Sequence, residues 1–191
     1  MMHINSYNLL DKLIAHLRSR ELKKNFSIVD KKILDFGCGS NFNKLKKIYK
    51  DCKEATLVDR VSEDFIEGKI SFINYQNDIT NLDQKIKNDT YDVIILSAVI
   101  EHLDSPEDIL NILKYKLNQN GFFFLTAPGK KSQAILEFLA YKLGLINADL
   151  VREHKRYYDK NEYEILSKKT NLIIKKFYFF EFGLNTACIL K

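Results

Sequence analysis

The sequence predicts an α/β fold: a doubly wound, mostly parallel, seven-stranded sheet that finishes in an antiparallel pair of strands. Three observations carry this. Short apolar runs alternate with helical patterns over most of the 191 residues, which favours a parallel sheet covered by helices on both faces. The last two apolar runs, Leu172 to Phe180 and Phe182 to Leu190, leave no room for a helix between them. A parallel pair would need a crossover of about a dozen residues, so these two strands must be antiparallel. The first strand, finally, ends in a glycine-bearing turn, Asp35-Phe36-Gly37-Cys38-Gly39-Ser40-Asn41.

The elements follow in order. Leu9, Leu10, Leu13, Ile14 and Leu17 fall at helical spacing behind Ser6, a candidate N-cap, and predict an amphipathic helix from Tyr7 to Lys23. It either covers an edge of the core or forms a flap over a ligand. Lys32 to Phe36 is a short buried strand, and a Lys-rich helix over Asn43 to Tyr49 follows its turn. Ala55 to Val58 and Ile70 to Tyr75 are the second and third strands, followed by Asp59 and by Asn77-Asp78. Tyr91 to Leu96 is continuous and β-branched, as expected of a strand covered on both faces. Pro106 suits the first turn of a helix carrying Ile109, Leu110, Leu113 and Leu117, with Asn120-Gly121 as its stop and Phe122 to Thr126 as the next strand. Within the long connection 129–158, Ala134 to Leu143 reads as a helix stopped by Gly144.

Composition bounds the function. Hydrophobic residues make up 46% and charged residues 29%, which excludes wholesale disorder and suits one domain over 1–191. The net charge of +5 comes from lysines scattered among Asp and Glu, a weak footprint for nucleic acid. No run approaches the roughly 20 apolar residues of a membrane span. Three cysteines without a CxxC pair, and no secretory pattern at the start, point to a reducing, cytoplasmic setting.

In an open parallel sheet, ligands bind at the carboxyl ends of the strands near the switch point. Gly37 and Gly39 allow a tight turn and a close approach of backbone to ligand. The carboxylate of Asp35 would repel a pyrophosphate, which argues against NAD or FAD, and would attract a cationic ligand. Asp59 stands close to the roughly 20-residue offset at which an acid grips ribose hydroxyls, although a lone Asp at a strand end is more often a cap or loop residue. Asp78 offers an acceptor to an adenine amine, or caps the helix through Leu82 and Ile86.

Together these residues resemble the class I, Rossmann-like S-adenosylmethionine-dependent methyltransferase superfamily. The resemblance runs from about Lys31 onward through ILDFGCGS (33–40), LVD (57–59), NDI (77–79), YDVIILSAVIEHL (91–103), NGFFFLTAP (120–128) and EHKRYY (153–158). It implies S-adenosylmethionine as cofactor, with S-adenosylhomocysteine as product. Asp35, Phe36, Gly37, Cys38 and Gly39 would surround the methionine portion, with Asp35 near its ammonium. Asp59 with Arg60 would address the ribose, Asn77, Asp78 and Ile79 the adenine, and Ser97 and Ala98 the methyl group. Asn41 stands where many members carry a third glycine. Asn is the non-glycine residue that best tolerates a left-handed backbone.

His102 and His154 are the candidate catalytic residues, as base or as ligand to the acceptor, since imidazole titrates near neutrality. A packing role for His102 and a solvated loop role for His154 are the alternatives. The absence of an Asn/Asp-Pro-Pro-aromatic motif and of a Pro-Cys pair argues against amino-methylating and cytosine-methylating DNA enzymes. Ser97 stands where a catechol-type magnesium site would start, and no zinc-ligand spacing appears, so a metal-independent enzyme is expected. Segments 1–30, an N-terminal helical extension, and 129–158, an acceptor-side insertion, are expected to select the acceptor. Lys130, Lys131, Lys142, Arg152, Lys155 and Arg156 suggest an anionic small molecule or glycan precursor, or else form an ordinary solvated surface. The competing functions are an RNA or other nucleic-acid methyltransferase and a catalytically inactive, cofactor-binding partner subunit.

Overall fold

A computed structural model describes residues 20–22, 24–60, 63–75, 79–88 and 90–191. The helix expected over 7–23 lies largely outside them; its end at 20–22 is helical, and Leu22 is buried. The elements are β1 (Lys32–Phe36), α1 (Phe42–Ile48), β2 (Glu54–Asp59), β3 (Phe65–Glu67), β4 (Ile70–Asn74), α2 (Ile79–Lys85), β5 (Tyr91–Ser97), α3 (Pro106–Leu113), β6 (Leu117–Pro128), α4 (Gln133–Glu137), α5 (Ala148–Arg152), α6 (Lys160–Thr170), β7 (Ile174–Phe180) and β8 (Asn185–Leu190).

They form one eight-stranded sheet in the order β3-β4-β2-β1-β5-β6-β8-β7. β4, β2, β1, β5 and β6 run parallel, while β8 is antiparallel to both β6 and β7. The seven expected strands are present. The eighth is the three-residue β3, which pairs antiparallel with β4 at the sheet edge and is too short to show an alternating pattern. Successive residues of β1 point to opposite faces. Leu34 joins Ile94, Leu96, Leu110, Leu113 and Leu166, and Ile33 joins Leu45, Leu57, Val93, Ile95 and Phe124. Strands buried on both faces have no polar side, so their apolar runs are continuous.

Most boundaries fall within one or two residues of the expectation, and two differ by more. Leu117 opens β6 instead of closing the preceding helix, which ends at Leu113 and tightens into a 3₁₀ turn over Lys114–Lys116. Leu117 is buried, so it satisfies the apolar rhythm from extended backbone, and periodicity alone could not separate the two. The strand expected from Phe182 begins at Asn185, because Glu181, Phe182 and Gly183 all carry positive φ in a tight turn. The helix over 134–143 appears as α4 running on into a π-helical turn, Phe138–Lys142, with Gly144 beyond it at φ +61°.

The chain leaves β1 outward to β2 and β4, then returns to place β5 on the other side of β1. The strand order therefore reverses between β1 and β5, and the crevice for a ligand lies at their carboxyl ends.

Candidate active site

The turn after β1 forms one wall of this crevice. Gly37 and Gly39 have φ of +78° and +80°, in the left-handed region that favours glycine. Gly37 is also confined: a Cβ there would stand 2.3 Å from Val99 Cγ2. The β1 turn and the segment after β5 thus meet over a hydrogen atom's width. The amides of Gly37 and Cys38 donate to the Val58 carbonyl (2.7 and 3.3 Å), and the Gly39 amide donates to Asp59 Oδ2 (2.7 Å). Asp59 Oδ1 accepts from the Arg60 amide at 2.7 Å. Asp59 thereby ties β2 to the glycine turn, and each carboxylate oxygen keeps a further lone pair for a hydroxyl.

Asn41 does not use the left-handed conformation that its departure from a glycine suggested. Its φ is −85°, and its side chain accepts from the Lys44 amide as the N-cap of α1. Asn is a favoured N-cap, so the residue starts the helix and leaves the turn unstrained.

Beneath the turn sits Asp35, 7% exposed, accepting a 2.7 Å hydrogen bond from the Tyr49 hydroxyl. Burial pushes its carboxyl up to about 7, against the opposing pull of that hydrogen bond and with a further push from Asp59. Tyr49, itself buried at 2% exposure, is held well above the ordinary phenol range, chiefly by burial and then by Asp35. The sequence reading missed Tyr49; its only signal is a lone polar tip at the end of an otherwise Lys-rich helix. The half-buried Cys38 thiol is pushed up by burial and by both carboxylates, which keeps it a neutral thiol. The Phe36 side chain packs in the core against Tyr75, with ring centres 5.2 Å apart, so only its backbone can face a ligand. Arg60 is exposed. Asn77 and Asp78 lie outside the described residues, and Ile79 opens α2.

The opposite wall follows β5. Ser97 Oγ and Thr126 Oγ1 are 3.0 Å apart, and the Ala98 amide donates to the Thr126 carbonyl at 2.9 Å. Ala98 has φ +57°, an unfavourable conformation for a residue with a Cβ and one that concentrates at functional sites. Immediately beyond, the fold brings the two candidate histidines together: the rings of His102 and His154 are 4.9 Å apart. His102 Nδ1 is 3.3 Å from the Glu153 carbonyl, and His154 Nδ1 is 3.4 Å from the Tyr157 hydroxyl. The strap 153–158 is laid over the turn after β5 by hydrogen bonds from the Lys155 amide to the Glu101 carbonyl (2.8 Å), the Tyr158 hydroxyl to the Ile100 carbonyl (3.2 Å) and the Tyr158 amide to the Pro128 carbonyl (2.9 Å). Fully buried Glu101 completes the cluster, with ligating atoms of Glu101, His102 and His154 all within 4.8 Å of one another.

Most of the basic residues on 129–158 are engaged. Lys130 pairs with Asp159 and Glu162 (3.1 and 2.8 Å), Arg152 with Asp149 (2.8 Å), Lys155 with Asp104, and Arg156 with Glu107 (4.0 Å). No helix among the described residues is long and apolar enough to cross a membrane.

Comparison with known proteins agrees with this geometry. A model of the methyltransferase domain family matches residues 7–174. A S-adenosylmethionine-dependent methyltransferase from Archaeoglobus fulgidus superposes with a TM-score of 0.66 at 18% identity, over 94% of each chain. A second, from Mesorhizobium loti, gives 0.64 at 11% identity, over 90% of this chain and 95% of that one. The mitomycin 7-O-methyltransferase MmcR gives 0.63 at 12% identity, over 93% of this chain and 54% of its own. At these identities the likeness shows the fold. A search of curated proteins by sequence found no match.

Proposed function

The chain belongs to the methyltransferase domain family and is an S-adenosylmethionine-dependent methyltransferase; from that premise we propose that it methylates a small molecule or glycan precursor received beside His102 and His154. The observation that carries the reading is the pairing of two acids with the glycine turn. A crevice with Asp35 beneath the turn and Asp59 bracing it suits a cationic nucleoside and repels a pyrophosphate.

Bound there, S-adenosylmethionine supplies a methyl group on a sulfonium whose departure needs no acid. In this reading Asp35 meets the α-ammonium, Asp59 the ribose hydroxyls, and Asn77, Asp78 and the Ile79 backbone the adenine. Gly37 and Gly39 let the backbone approach the methionine portion, and Ser97 and Ala98 flank the methyl group. The remaining work is orientation of the acceptor and removal of its proton where it has one to lose. His102 or His154 serves the acceptor, as base or as ligand to it. Segment 129–158 is the acceptor-side insertion, because its strap carries His154 over the turn after β5. Exposed Ile135, Phe138 and Tyr141 on its helix offer an organic acceptor apolar surface. Among the described residues Lys131 and Lys142 form no ion pair, while the other four basic residues do, so any anionic group on the acceptor meets little net positive charge. The free thiols of Cys38, Cys52 and Cys188 suit the cytoplasm.

Calorimetry of the whole chain with S-adenosylmethionine and S-adenosylhomocysteine tests the premise, since a dead scaffold binds neither. A screen of hydroxylated and carboxylated acceptors, reading S-adenosylhomocysteine release, then tests the acceptor class. Wild-type turnover in both His102→Ala and His154→Ala would remove the histidines from the chemistry.

A further inference from the structure

Glu101, His102 and His154 come from two stretches of chain and converge at the carboxyl end of β5, with their ligating atoms within 4.8 Å of one another. Two imidazole nitrogens and one carboxylate, three donors that leave a tetrahedral ion one open position, are a donor set for a divalent first-row transition metal; magnesium and calcium prefer oxygen alone. Around a tetrahedral ion with ligands at about 2.1 Å, donor atoms stand about 3.4 Å apart. Side-chain adjustments of roughly 1 Å therefore close the cluster onto an ion. Glu101 is fully buried, so an ion held by its carboxylate would be shielded from water on that side, where its attraction to the ligands is strong.

The surroundings favour the cation. The contact of His102 Nδ1 with the Glu153 carbonyl selects the tautomer protonated on Nδ1, which leaves a lone pair on Nε2. An imidazole that binds metal through one nitrogen usually donates its other N–H to a carbonyl or carboxylate in this way. The Tyr157 hydroxyl beside His154 Nδ1 orients the second ring.

We propose that Glu101, His102 and His154 hold one divalent transition-metal ion, of the zinc class, whose remaining coordination position receives an oxygen of the acceptor. The inference rests on the methyltransferase reading only for the identity of that outside ligand. It departs from the metal-independent enzyme expected from the sequence, where Glu101-His102 and His154 show no ligand spacing. The bound ion would draw the acceptor oxygen to the site and make its proton easier to lose to solvent water, with the imidazoles acting as ligands and not as the base.

The test uses the full, tag-free chain stripped of metal by chelator and dialysis. Zinc is titrated in against a chromophoric chelator, and cobalt is followed by its visible absorption. One ion per chain is expected, with a rise in thermal midpoint, a cobalt spectrum of a low-coordinate site, and at least about tenfold weaker binding in each of His102→Ala, His154→Ala and Glu101→Gln. The two histidines are only partly buried, so their variants report even if Glu101→Gln unfolds. Absence of stoichiometric binding at micromolar zinc or cobalt overturns the proposal, as does binding that both histidine variants retain, which would place the ion on other residues. S-adenosylhomocysteine is titrated into the metal-free chain in parallel. A chain that binds it but not zinc sinks this proposal alone. A chain that binds zinc through His154 but not S-adenosylhomocysteine sinks the cofactor reading and leaves the metal site standing.

Discussion

With Asp35 meeting the cofactor's ammonium, as proposed, cofactor binding is expected to depend on pH in a direction that the ordinary carboxylate range would not give. In the unliganded protein its carboxyl titrates at about 7 instead of 3.8, because it is buried. A cationic ammonium is met by the ionised form, so binding is coupled to loss of that proton. The dissociation constant then scales as 1 + 10^(7 − pH), which weakens binding about elevenfold at pH 6 and about a hundredfold at pH 5. The ligand's own α-amino group, beside a carboxylate, keeps its charge well past neutrality. Affinity for S-adenosylhomocysteine should therefore rise from pH 5 and level off above about pH 7, and calorimetry in matched buffers from pH 5 to 8 should show this acidic limb. Asp35→Asn should bind more weakly throughout and lose the acidic limb. The same group acts on stability with a fixed sign. A folded-state pKa above the unfolded value gives stability that is complete below about pH 4 and is lost as pH rises through about 7. The shift corresponds to at most roughly 4 kcal/mol. At pH 8 unliganded Asp35→Asn should consequently melt higher than wild type while binding worse, the usual exchange of stability for function. A flat affinity between pH 5.5 and 7.5, or an Asp35→Asn chain that melts lower at pH 8, would refute this account of Asp35.

Other outcomes follow from neighbouring contacts. Tyr49→Phe removes the hydrogen bond that holds the Asp35 carboxyl down, so the acidic limb of the affinity curve should move to higher pH; a limb that stays in place removes Tyr49 from the site. Asp59→Ala takes an acceptor from the Gly39 amide and, in the proposed complex, from both ribose hydroxyls; the two hydroxyl bonds at about 1.5–3 kcal/mol each predict at least a hundredfold loss of S-adenosylhomocysteine affinity by calorimetry. Gly37→Ala places a Cβ 2.3 Å from Val99 Cγ2 at φ +78°. It should cost about 2–4 kcal/mol in denaturant unfolding through overpacking and left-handed strain. The double variant with Val99→Ala should recover only the packing part.

Much of the fold is legible in local pattern because local pattern causes it. β1 and β5 show continuous apolar runs since both faces are covered, and Pro106 stands at a helix start that its fixed backbone suits, whereas the capping role of Asn41 emerged only from the structure. Leu117 shows the limit: an apolar residue in step with a helix is equally in step with a strand entering the same core. The antiparallel end was readable from spacing alone, whereas β3, three residues long and exposed, has no pattern to read.

The sequence by itself determined the chemistry of the first turn. Two glycines that must take positive φ, an acid before them and an acid at the end of β2 are local facts, and they separate a cationic nucleoside from a pyrophosphate. Only the tertiary structure decided what those residues feel. The raised carboxyl of Asp35 depends on burial and on a hydroxyl fourteen residues away; the tightness at Gly37 depends on Val99 from across the switch point. The meeting of Glu101 and His102 with His154 depends on a strap that returns over the end of β5. Periodicity and turn chemistry reach only a few residues along the chain. Electrostatic environment and ligand geometry are set by whichever segments the strand order brings side by side, and that order is a property of the folded sheet as a whole.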